Sequence, residues 1–413
     1  MNWAQAEFHD LELGDARRTH RLIKLVDDLS AQPTGSIPQA CGGWPETKAA
    51  YRLLDNPAVE WREILDVHTQ RTVERMIGRP VVLCIQDTTE LDFTTQPGIA
   101  GLGRLSYEAQ HGLYVHPTLA ATPAGVALGV LDAWMWARKP KDQPNVKEST
   151  HWTEGYEIVA DLAEMVPHTR LVYVADREGD LRALIDAAAR RGTPADWLIR
   201  SQHNRKTTTG EKLWDRLAQS EPLGEVEFTL PAAPDRPARR VRQTLYRQAA
   251  TLPAHHGQPA ATATAILARE EHPPTGQPAI EWRLLANRAA DTLAAVVELI
   301  DWYRKRWLIE IFFRILKTGC RVEALQLGTL ERLERAVVLY LIIAWRILHL
   351  VTWGRDCPNL PCDVVFDAEE WQAAWIVAHR TQPPETPPPL GQMVRLIASF
   401  GGFLGRKHDG HPG

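Results

Sequence analysis

The chain has 413 residues, of which 44% are hydrophobic, and this length and apolar fraction suit two or three globular domains. The formal net charge of −4 excludes a uniformly basic nucleic-acid-binding protein but leaves room for local basic patches. Five scattered cysteines fit a reduced cytosolic protein, and the neighbouring Cys357 and Cys362 lack a second Cys/His pair with which to bind a metal.

Residues 1 to about 68 are predicted to be helical. Asp15 can cap a helix that runs through ARRTHRLIKLVDDLSAQ, PTGSIPQACGGWP is predicted to be a loop, and ETKAAYRLLDNPAV resumes the helical pattern. Basic residues crowd the first turns of the first of these helices, where they oppose the helix macrodipole. They either bind phosphate groups or form a solvated surface, and the residues alone leave both alternatives open.

Two short apolar segments each end in an acid. VVLCIQ, which precedes Asp87, is predicted to be a central buried strand, and LVYVA, which precedes Asp176, is predicted to be a second one. The remaining elements up to residue 201 are predicted to be strands at Gly112–Ala121, Gly125–Trp134 and Asp196–Ser201, with helices at Glu148–Met165 and in LRALIDAAARR, and a polar loop at Arg138–Asn145.

The stretch from about residue 207 to 280 changes character. It is rich in Thr, Pro and alternating residues, which predicts antiparallel strands of an inserted subdomain. IEWRLLAN, which contains Trp282, is predicted to be a strand that leads back into a helix.

The segment DWYRKRWLIEIFFRILK, Asp301 to Lys317, is predicted to be one buried helix. At roughly 100° per residue, Tyr303, Arg306, Glu310 and Lys317 fall within about 60° of one another. A carboxylate on a buried helix is costly unless it is paired or holds a metal. Glu310 is therefore expected to have partners elsewhere in the chain.

The rest of the chain is predicted to be mainly helical. EALQLGTLERLERAVVLYLIIAWRILHLV and EEWQAAWIVAHR form helices, TQPPETPPPL is a stiff linker, and Gln392–Phe400 is a last short helix. The N-terminus has no apolar signal core, and the most apolar run, Ala336–Trp345, is too short to span a bilayer. We therefore expect no membrane contact.

Asp87, Asp176 and Glu310 share one chemical context. Acids at strand ends converge at the carboxyl edge of an open sheet, and three carboxylates without His or Cys favour Mg²⁺ or Mn²⁺. Two such ions suit phosphodiester chemistry, for which Arg306 and Lys317 would hold phosphates and Tyr303 would orient one. Taken singly, a strand-end Asp is more often a turn or cap residue, and a buried Glu beside Arg is commonly a structural ion pair.

The spacing Tyr303-x2-Arg306-x3-Glu310-x6-Lys317 resembles the Tyr–Arg–Glu–Lys signature of bacterial cut-and-paste DDE transposases of the insertion-sequence-four family. IQDTTELDF and ADREGDL are similar to the family's other two acidic motifs. LGDARRTHRL, AAYRLLDNP, WLIRS and ASFGGFLGRKHDG also match, so the resemblance covers nearly the whole chain.

The resemblance implies an α/β fold with an RNase H-like catalytic core, a mixed sheet flanked by helices, together with a β-rich insertion and α-helical N- and C-terminal regions. It implies a catalytic and metal-binding triad of Asp87, Asp176 and Glu310 with two Mg²⁺ ions per site, for which Mn²⁺ substitutes. The implied reactions are nicking of transposon ends, hairpin formation, hairpin hydrolysis and strand transfer to target DNA.

The resemblance also implies partners. Double-stranded DNA, from the transposon ends and the target, would be bound by a homodimer at the bacterial nucleoid in the cytoplasm. The DNA-binding residues that it implies are Tyr303, Arg306, Lys317, Trp282, Arg18, Arg21, Arg52 and Arg200. Trp282 would stack on a base flipped out of the transposon end; its alternative role is an ordinary sheet-core tryptophan.

We predict a helical end-binding domain at residues 1–68, a catalytic domain at 69–350 with the insertion at 206–280, and a helical region at 351–413. Members of the family continue past GGFLGRKHDG into a helical segment, so we expect this chain to be truncated there. The alternatives to an active transposase are an end-binding or inhibitory derivative, or a metal-dependent nuclease that nicks without joining.

Overall fold

A computed structural model describes residues 2–140, 143, 147–230 and 238–406. The helices in this part of the chain are α1 Trp3–Phe8, α2 Ala16–Ala31, α3 Ile37–Cys41, α4 Trp44–Leu54, α5 Trp61–Met76, α6 Thr150–Met165, α7 Arg182–Arg190, α8 Leu213–Leu217, α9 Leu293–Arg304, α10 Trp307–Arg314, α11 Leu330–Asp356, α12 Ala368–His379 and α13 Leu390–Phe400. The strands are β1 Val81–Gln86, β2 Thr89–Asp92, β3 Gly103–Arg104, β4 His111–Ala121, β5 Ala127–Trp136, β6 Arg170–Ala175, β7 Asp196–Arg200, β8 Gly224–Leu230, β9 Arg239–Leu252, β10 Ala261–Arg269 and β11 Glu281–Ala286.

These elements form two compact units. The first contains Met1–Ile77, Thr88–Val146 and Leu308–Gly413, and the second contains Gly78–Asp87 and Lys147–Trp307. Each unit is therefore assembled from segments that are distant in sequence. The domain boundaries at residues 68, 206, 280 and 350 stay a prediction.

In the second unit a sheet runs in the order β1-β6-β7-β11-β10-β9-β8. The pairs β1–β6 and β6–β7 are parallel, whereas every pair from β7 to β8 is antiparallel. β1 and β6 are almost wholly buried, as their continuous apolar sequences predict for central parallel strands. The strands that end at Asp87 and Asp176 are thus confirmed.

The predicted β-rich insertion is also confirmed. β8, β9 and β10 form antiparallel neighbours, and β9 is a 14-residue strand. A short helix, α8, precedes them and was not predicted; the Asn204 side-chain oxygen accepts a hydrogen bond from the Trp214 backbone N–H at its start. That contact comes from ten residues earlier, so no local pattern in LWDRL indicates it.

In the first unit β4 pairs with β2, β3 and β5, and all three pairs are antiparallel. α11 packs against β5, where Trp345 Nε1 and His349 Nδ1 both donate to the Ala127 carbonyl, at 3.3 Å and 2.6 Å. By length and composition α11 suits a membrane span, but 72% of its most apolar stretch is buried within the protein. It is therefore arranged as a core helix, as its apolar run predicted.

The N-terminal helices are confirmed, including the cap in which Asp15 accepts from the Arg17 N–H at 2.8 Å. The loop predicted for PTGSIPQACGGWP is wrong in its centre, because α3 occupies Ile37–Cys41. Ser36 and Gln39 form a capping box there, each side chain accepting from the other's backbone N–H, and this outweighs the flanking Gly and Pro residues.

The C-terminal helices α12 and α13 enclose a small apolar core that contains Cys362, Phe366, Trp371, Leu390 and Met393. The helix predicted to begin at Glu323 begins only at Leu330, capped by Thr329. Half of the loop predicted at Arg138–Asn145, and the motif residues after Arg406, lie outside the described residues.

A mixed sheet with parallel central strands, flanking helices, and helical N- and C-terminal regions makes this an RNase H-like α/β core. The antiparallel strands β8, β9 and β10 interrupt the core between β7 and β11, so the predicted fold class is confirmed.

Candidate active site

Asp87 and Asp176 lie at the same level of two neighbouring parallel strands. The β1–β6 register pairs Ile85 with Val174, and continuing it by two residues sets Asp87 opposite Asp176. Neighbouring strands are about 4.7–4.9 Å apart, and residues at matched register share a face. Strand pairing therefore brings these two predicted site residues together at the carboxyl edge of the sheet.

Tyr173 forms a buried support behind the two aspartates. Its hydroxyl donates to Gln86 and to the Trp152 carbonyl, the latter at 3.0 Å. Burial raises the pKa of the Tyr173 phenol well above its ordinary value, and the charges of Asp176 and Asp87 raise it further. The phenol therefore stays neutral and both carboxylates lie within its electrostatic reach.

Arg306 forms an ion pair with Asp87, with 2.6 Å between Nη1 and Oδ2, and both side chains are only 15% exposed. A guanidinium carries five N–H donors in a planar fork, so it can contact more than one oxygen at the same time.

Tyr303 brings a second donor to the same edge. Its hydroxyl is buried and has no hydrogen-bond partner within the described part of the chain. Burial raises the pKa of Tyr303 and Asp176 adds to this, whereas Arg306 and Arg200 oppose it. A buried hydroxyl that the described residues leave unsatisfied needs a partner such as an ordered water or a bound group.

The single regular helix predicted for Asp301–Lys317 is wrong. α9 ends at Arg304, and the N–H groups of Lys305 and Arg306 turn back to residues three positions earlier. After α10, Ile315–Gly319 is a π-helical turn, closed by the Cys320 N–H on the Ile315 carbonyl at 2.7 Å. The four signature residues therefore do not follow one regular 3.6-residue period.

The burial expected for this segment is also only partly correct. Trp307, predicted to be buried, is 61% exposed, and Glu310 is half-buried on α10. Lys317 is half-buried in the π-helical turn. Glu310 and Lys317 belong to the first unit, whereas Tyr303, Arg306 and the two aspartates belong to the second.

The chemistry of the three predicted acids suits a divalent metal. The three acids supply only carboxylate oxygens, the donors that Mg²⁺ and Mn²⁺ prefer, and the sheet sets two of them at matched register. Across the described residues, no three His, Cys, Asp or Glu side chains are gathered closely enough to hold an ion. The donor chemistry thus fits, and the assignment of Glu310 as the third ligand stays a prediction.

An open cleft of about 510 Å³ lies beside this edge and contains two further predicted residues, Arg200 and Trp282. Arg200 ends β7, and Trp282 lies on β11, where it is half-buried. Trp282 is therefore not a fully buried sheet-core side chain. The other lining residues are Arg177, Ser201, Gln202, Ala279, Ile280, Glu281 and Arg283.

Asp180 is a structural residue that the sequence did not reveal. Asp180 follows a strand end in a polar loop, yet it is only 1% exposed. Its Oδ2 accepts from the Ser201 hydroxyl and from the Gln202 and His203 N–H groups at 2.8–3.0 Å, and Oδ1 accepts from Arg205 at 2.5 Å. Asp180 fixes the segment that lines the cleft. The only signal for this role in the sequence is an acid directly after ADREG.

The basic residues predicted near the N-terminus lie on two helices of the first unit. Arg18 and Arg21 are on α2, where Arg18 donates to the Leu13 carbonyl at 3.1 Å and Arg21 pairs with Glu46. Arg52, on α4, is exposed. Their contact with DNA stays a prediction.

Three family models match the chain. A transposase DNA-binding model matches residues 1–59, a transposase DDE domain model matches 143–346, and a transposase Tn5 dimerisation domain model matches 342–413. The chain belongs to the DDE transposases. The match at its C-terminal end places it with the transposon-five-like members of the insertion-sequence-four family. Asp176 and Glu310 lie inside the DDE match, and Asp87 lies in the unmatched stretch before it.

This transposase is also similar to a solved structure, the cryo-EM structure of the piggyBac transposase synaptic complex with hairpin DNA. The two share 11% sequence identity with a TM-score of 0.38, over 73% of this chain and 53% of that one. The match thus spans about half the length of that protein.

Proposed function

We propose that this transposase carries out cut-and-paste DNA transposition. It would bind the inverted repeats at the ends of its element, nick them, form and open a hairpin, and join the freed ends to target DNA. The observation that carries the proposal is the matched register of Asp87 and Asp176, beside an arginine and a buried tyrosine, in a chain that matches the DDE domain.

Asp87, Asp176 and Glu310 would hold Mg²⁺, with Mn²⁺ as a substitute, and two ions per site. When bound, such ions activate an attacking oxygen and stabilise a leaving one in phosphodiester chemistry. The proposal for Glu310 rests on the Tyr–Arg–Glu–Lys spacing and on its place within the DDE match.

The neighbouring side chains would bind and orient the DNA backbone. Arg306 is held at Asp87, and the Tyr303 hydroxyl has a proton to donate. Both suit the non-bridging oxygens of a phosphate, and a guanidinium can bind two of them at once. Lys317 would add a point charge to the same grip.

Trp282 and Arg200 would hold a nucleotide displaced from the transposon end. The cleft that they line is open and rich in arginine, which suits an unstacked base with its phosphate. Arg18, Arg21 and Arg52 would contact end DNA through the N-terminal helices, within the segment matched by the DNA-binding model.

The working form would be a homodimer that pairs two ends, since the last 72 residues match a transposase dimerisation domain. Because its substrate is genomic DNA, we place its action at the nucleoid in the bacterial cytoplasm.

The test uses the DNA that flanks the reading frame, from which both element ends are cloned. We expect the protein with Mg²⁺ to nick these ends, to form hairpins and to join them to a plasmid. Binding without any cleavage would contradict the proposal, and nicks without hairpins or joined products would identify a nuclease.

The variant Glu310→Gln removes one carboxylate charge and should abolish cleavage while it changes end binding by no more than a few-fold. The matched control is Glu298→Gln, on α9, whose carboxylate is exposed and paired with Arg288 at 3.2 Å. Unchanged cleavage by Glu310→Gln would refute the assignment of the third acid.

A further inference from the structure

Trp282 is the last member of a three-residue stack. The ring of Phe228 lies nearly parallel to the Trp282 indole, at 18° and 5.8 Å between centroids. The Arg304 guanidinium lies over the Phe228 ring, 5.3 Å from its centroid. We call Arg304, Phe228 and Trp282 the ring stack; all three belong to the second unit.

The stack joins elements that are far apart in the sheet order. Phe228 is on β8 and Trp282 is on β11, with β9 and β10 between them. Three strand spacings in a flat sheet amount to about 14 Å. Ring contact at 5.8 Å therefore indicates that the four strands curl, so that the edge strand of the insertion returns to β11.

The stack can fix the plane of the Trp282 ring. Both aromatic side chains are half-buried, and offset or parallel stacking of such rings is favourable beyond the area it buries. Arg304 continues the stack at its far end through a cation–π contact, and its Nη1 is held by Asp301 at 3.0 Å. A ring held in this way loses less conformational freedom when a ligand stacks on it.

The cleft beside Trp282 has the charge that a nucleotide requires. Arg177, Arg200 and Arg283 line it, and Glu281, the one acid among its described lining residues, accepts from Arg269 and Arg283 at 2.7 Å each. These pairs lower the pKa of Glu281 although burial opposes them, so the acid is ionised and neutralised by its partners. The cleft is thus cationic with an aromatic wall.

We propose that Phe228 is a positioning residue that presents Trp282 to a single unstacked nucleobase, with Arg304 as the closing end of the stack. This inference rests on the proposed function, because the base is the one displaced from a transposon end. It makes the edge strand of the β-rich insertion part of the DNA-binding site.

The test uses a short DNA duplex that carries one unpaired 2-aminopurine beside a nick, in the absence of metal. Stacking on an indole quenches 2-aminopurine, so the complex with the unaltered protein should be dimmer than the complex with Trp282→Ala. Phe228→Ala should raise the emission towards that of Trp282→Ala and weaken binding about two- to tenfold, the range of one aromatic pair. Phe228→Tyr should restore both.

Two controls separate positioning from general damage to the strand. Val226→Ala alters the same strand and face, two residues away and equally half-buried, and should leave emission and affinity unchanged. The same duplex with an abasic site in place of 2-aminopurine should make Phe228→Ala and the unaltered protein bind equally. An equal loss on the abasic duplex would overturn the inference, as would a Phe228→Ala complex as dim as the unaltered one.

The inference and the proposed function fail in different ways. If flanking DNA is never cleaved with Mg²⁺ but the emission follows Phe228 and Trp282, the base site stands and the transposition proposal falls. If cleavage occurs but Phe228→Ala behaves like Val226→Ala, only the positioning role falls.

Discussion

At the scale of single residues, two acids four positions apart have different roles. Asp176 is half-buried beside Asp87, with its Oδ1 accepting from the Glu178 N–H at 2.7 Å. Asp180 is buried and accepts four hydrogen bonds from residues 201–205. ADREGDL predicts an acid at a strand end. The difference between Asp176 and Asp180 depends on partners more than 20 residues later in the chain, so no local sequence pattern indicates it.

The variant Asp180→Ala should lower the free energy of unfolding by about 3–5 kcal/mol, because it leaves the Arg205 guanidinium without its buried partner. The measurement is urea unfolding. The control is Asp161→Ala, which removes another Asp–Arg pair whose carboxylate is 65% exposed and which should cost at most about 1 kcal/mol. Equal losses for the two variants would contradict the structural role of Asp180.

At the scale of elements, the signature segment shows what sequence spacing can predict. Its spacing predicts that Tyr303, Arg306, Glu310 and Lys317 act together, which stays a prediction, and the helical character of the segment is confirmed. The break at Lys305 was missed because no Gly or Pro marks it, and Gly319 marks only the end of the π-helical turn, not its wider hydrogen bonding. Packing, not residue type, decides whether a backbone N–H donates to the carbonyl four residues earlier or to the one five residues earlier.

The contact between α11 and β5 predicts a pH dependence of stability. Burial lowers the pKa of His349 to about 4, with Arg346 and Arg75 acting in the same direction and the Ala127 carbonyl and Glu7 opposing. The unfolded chain has an ordinary histidine pKa of about 6.5 and so binds more protons between these values. The stability that neutral His349 contributes is present in full above about pH 6.5 and is lost as the pH falls towards 4.

We expect the free energy of unfolding to fall by about 2 kcal/mol from this residue between pH 7 and pH 5. His349→Gln keeps a donor for the Ala127 carbonyl but does not titrate. The free energy of unfolding of this variant should therefore fall less over the same pH interval, by that amount. Urea unfolding at the two pH values measures the difference. An identical pH dependence in both proteins would show that His349 is not held neutral.

The N-terminal helices predict a salt dependence of DNA binding. Arg52 is exposed on α4, and each phosphate contact contributes about 0.9 to the slope of log K against log salt. Arg52→Ala should reduce the slope for end DNA by about that amount, as measured by titration at several salt concentrations. Arg190→Ala, at the exposed end of α7, should leave it unchanged. Equal slopes for Arg52→Ala and the unaltered protein would remove Arg52 from the DNA contacts.

At the scale of the whole molecule, the chain builds two compact units from five interleaved segments. The sequence predicted the strands that carry Asp87 and Asp176, the antiparallel insertion and the helical ends. It did not predict β2 and β3, which are four and two residues long, or the contact of Phe228 with Trp282. Short strands have little periodicity, and curling of a sheet depends on how several strands pack together.

We propose that Asp87, Asp176 and Glu310 hold the same metal ions, and iron-directed cleavage of the protein backbone tests this directly. Fe²⁺ bound in place of Mg²⁺ cuts the nearby backbone when ascorbate and peroxide are added, and mass spectrometry locates the cuts. With end DNA bound, we expect cuts close to all three acids, suppressed by excess Mg²⁺ and lost together in Glu310→Gln. Cuts near the two aspartates that persist in Glu310→Gln, with none near residue 310, would contradict the claim.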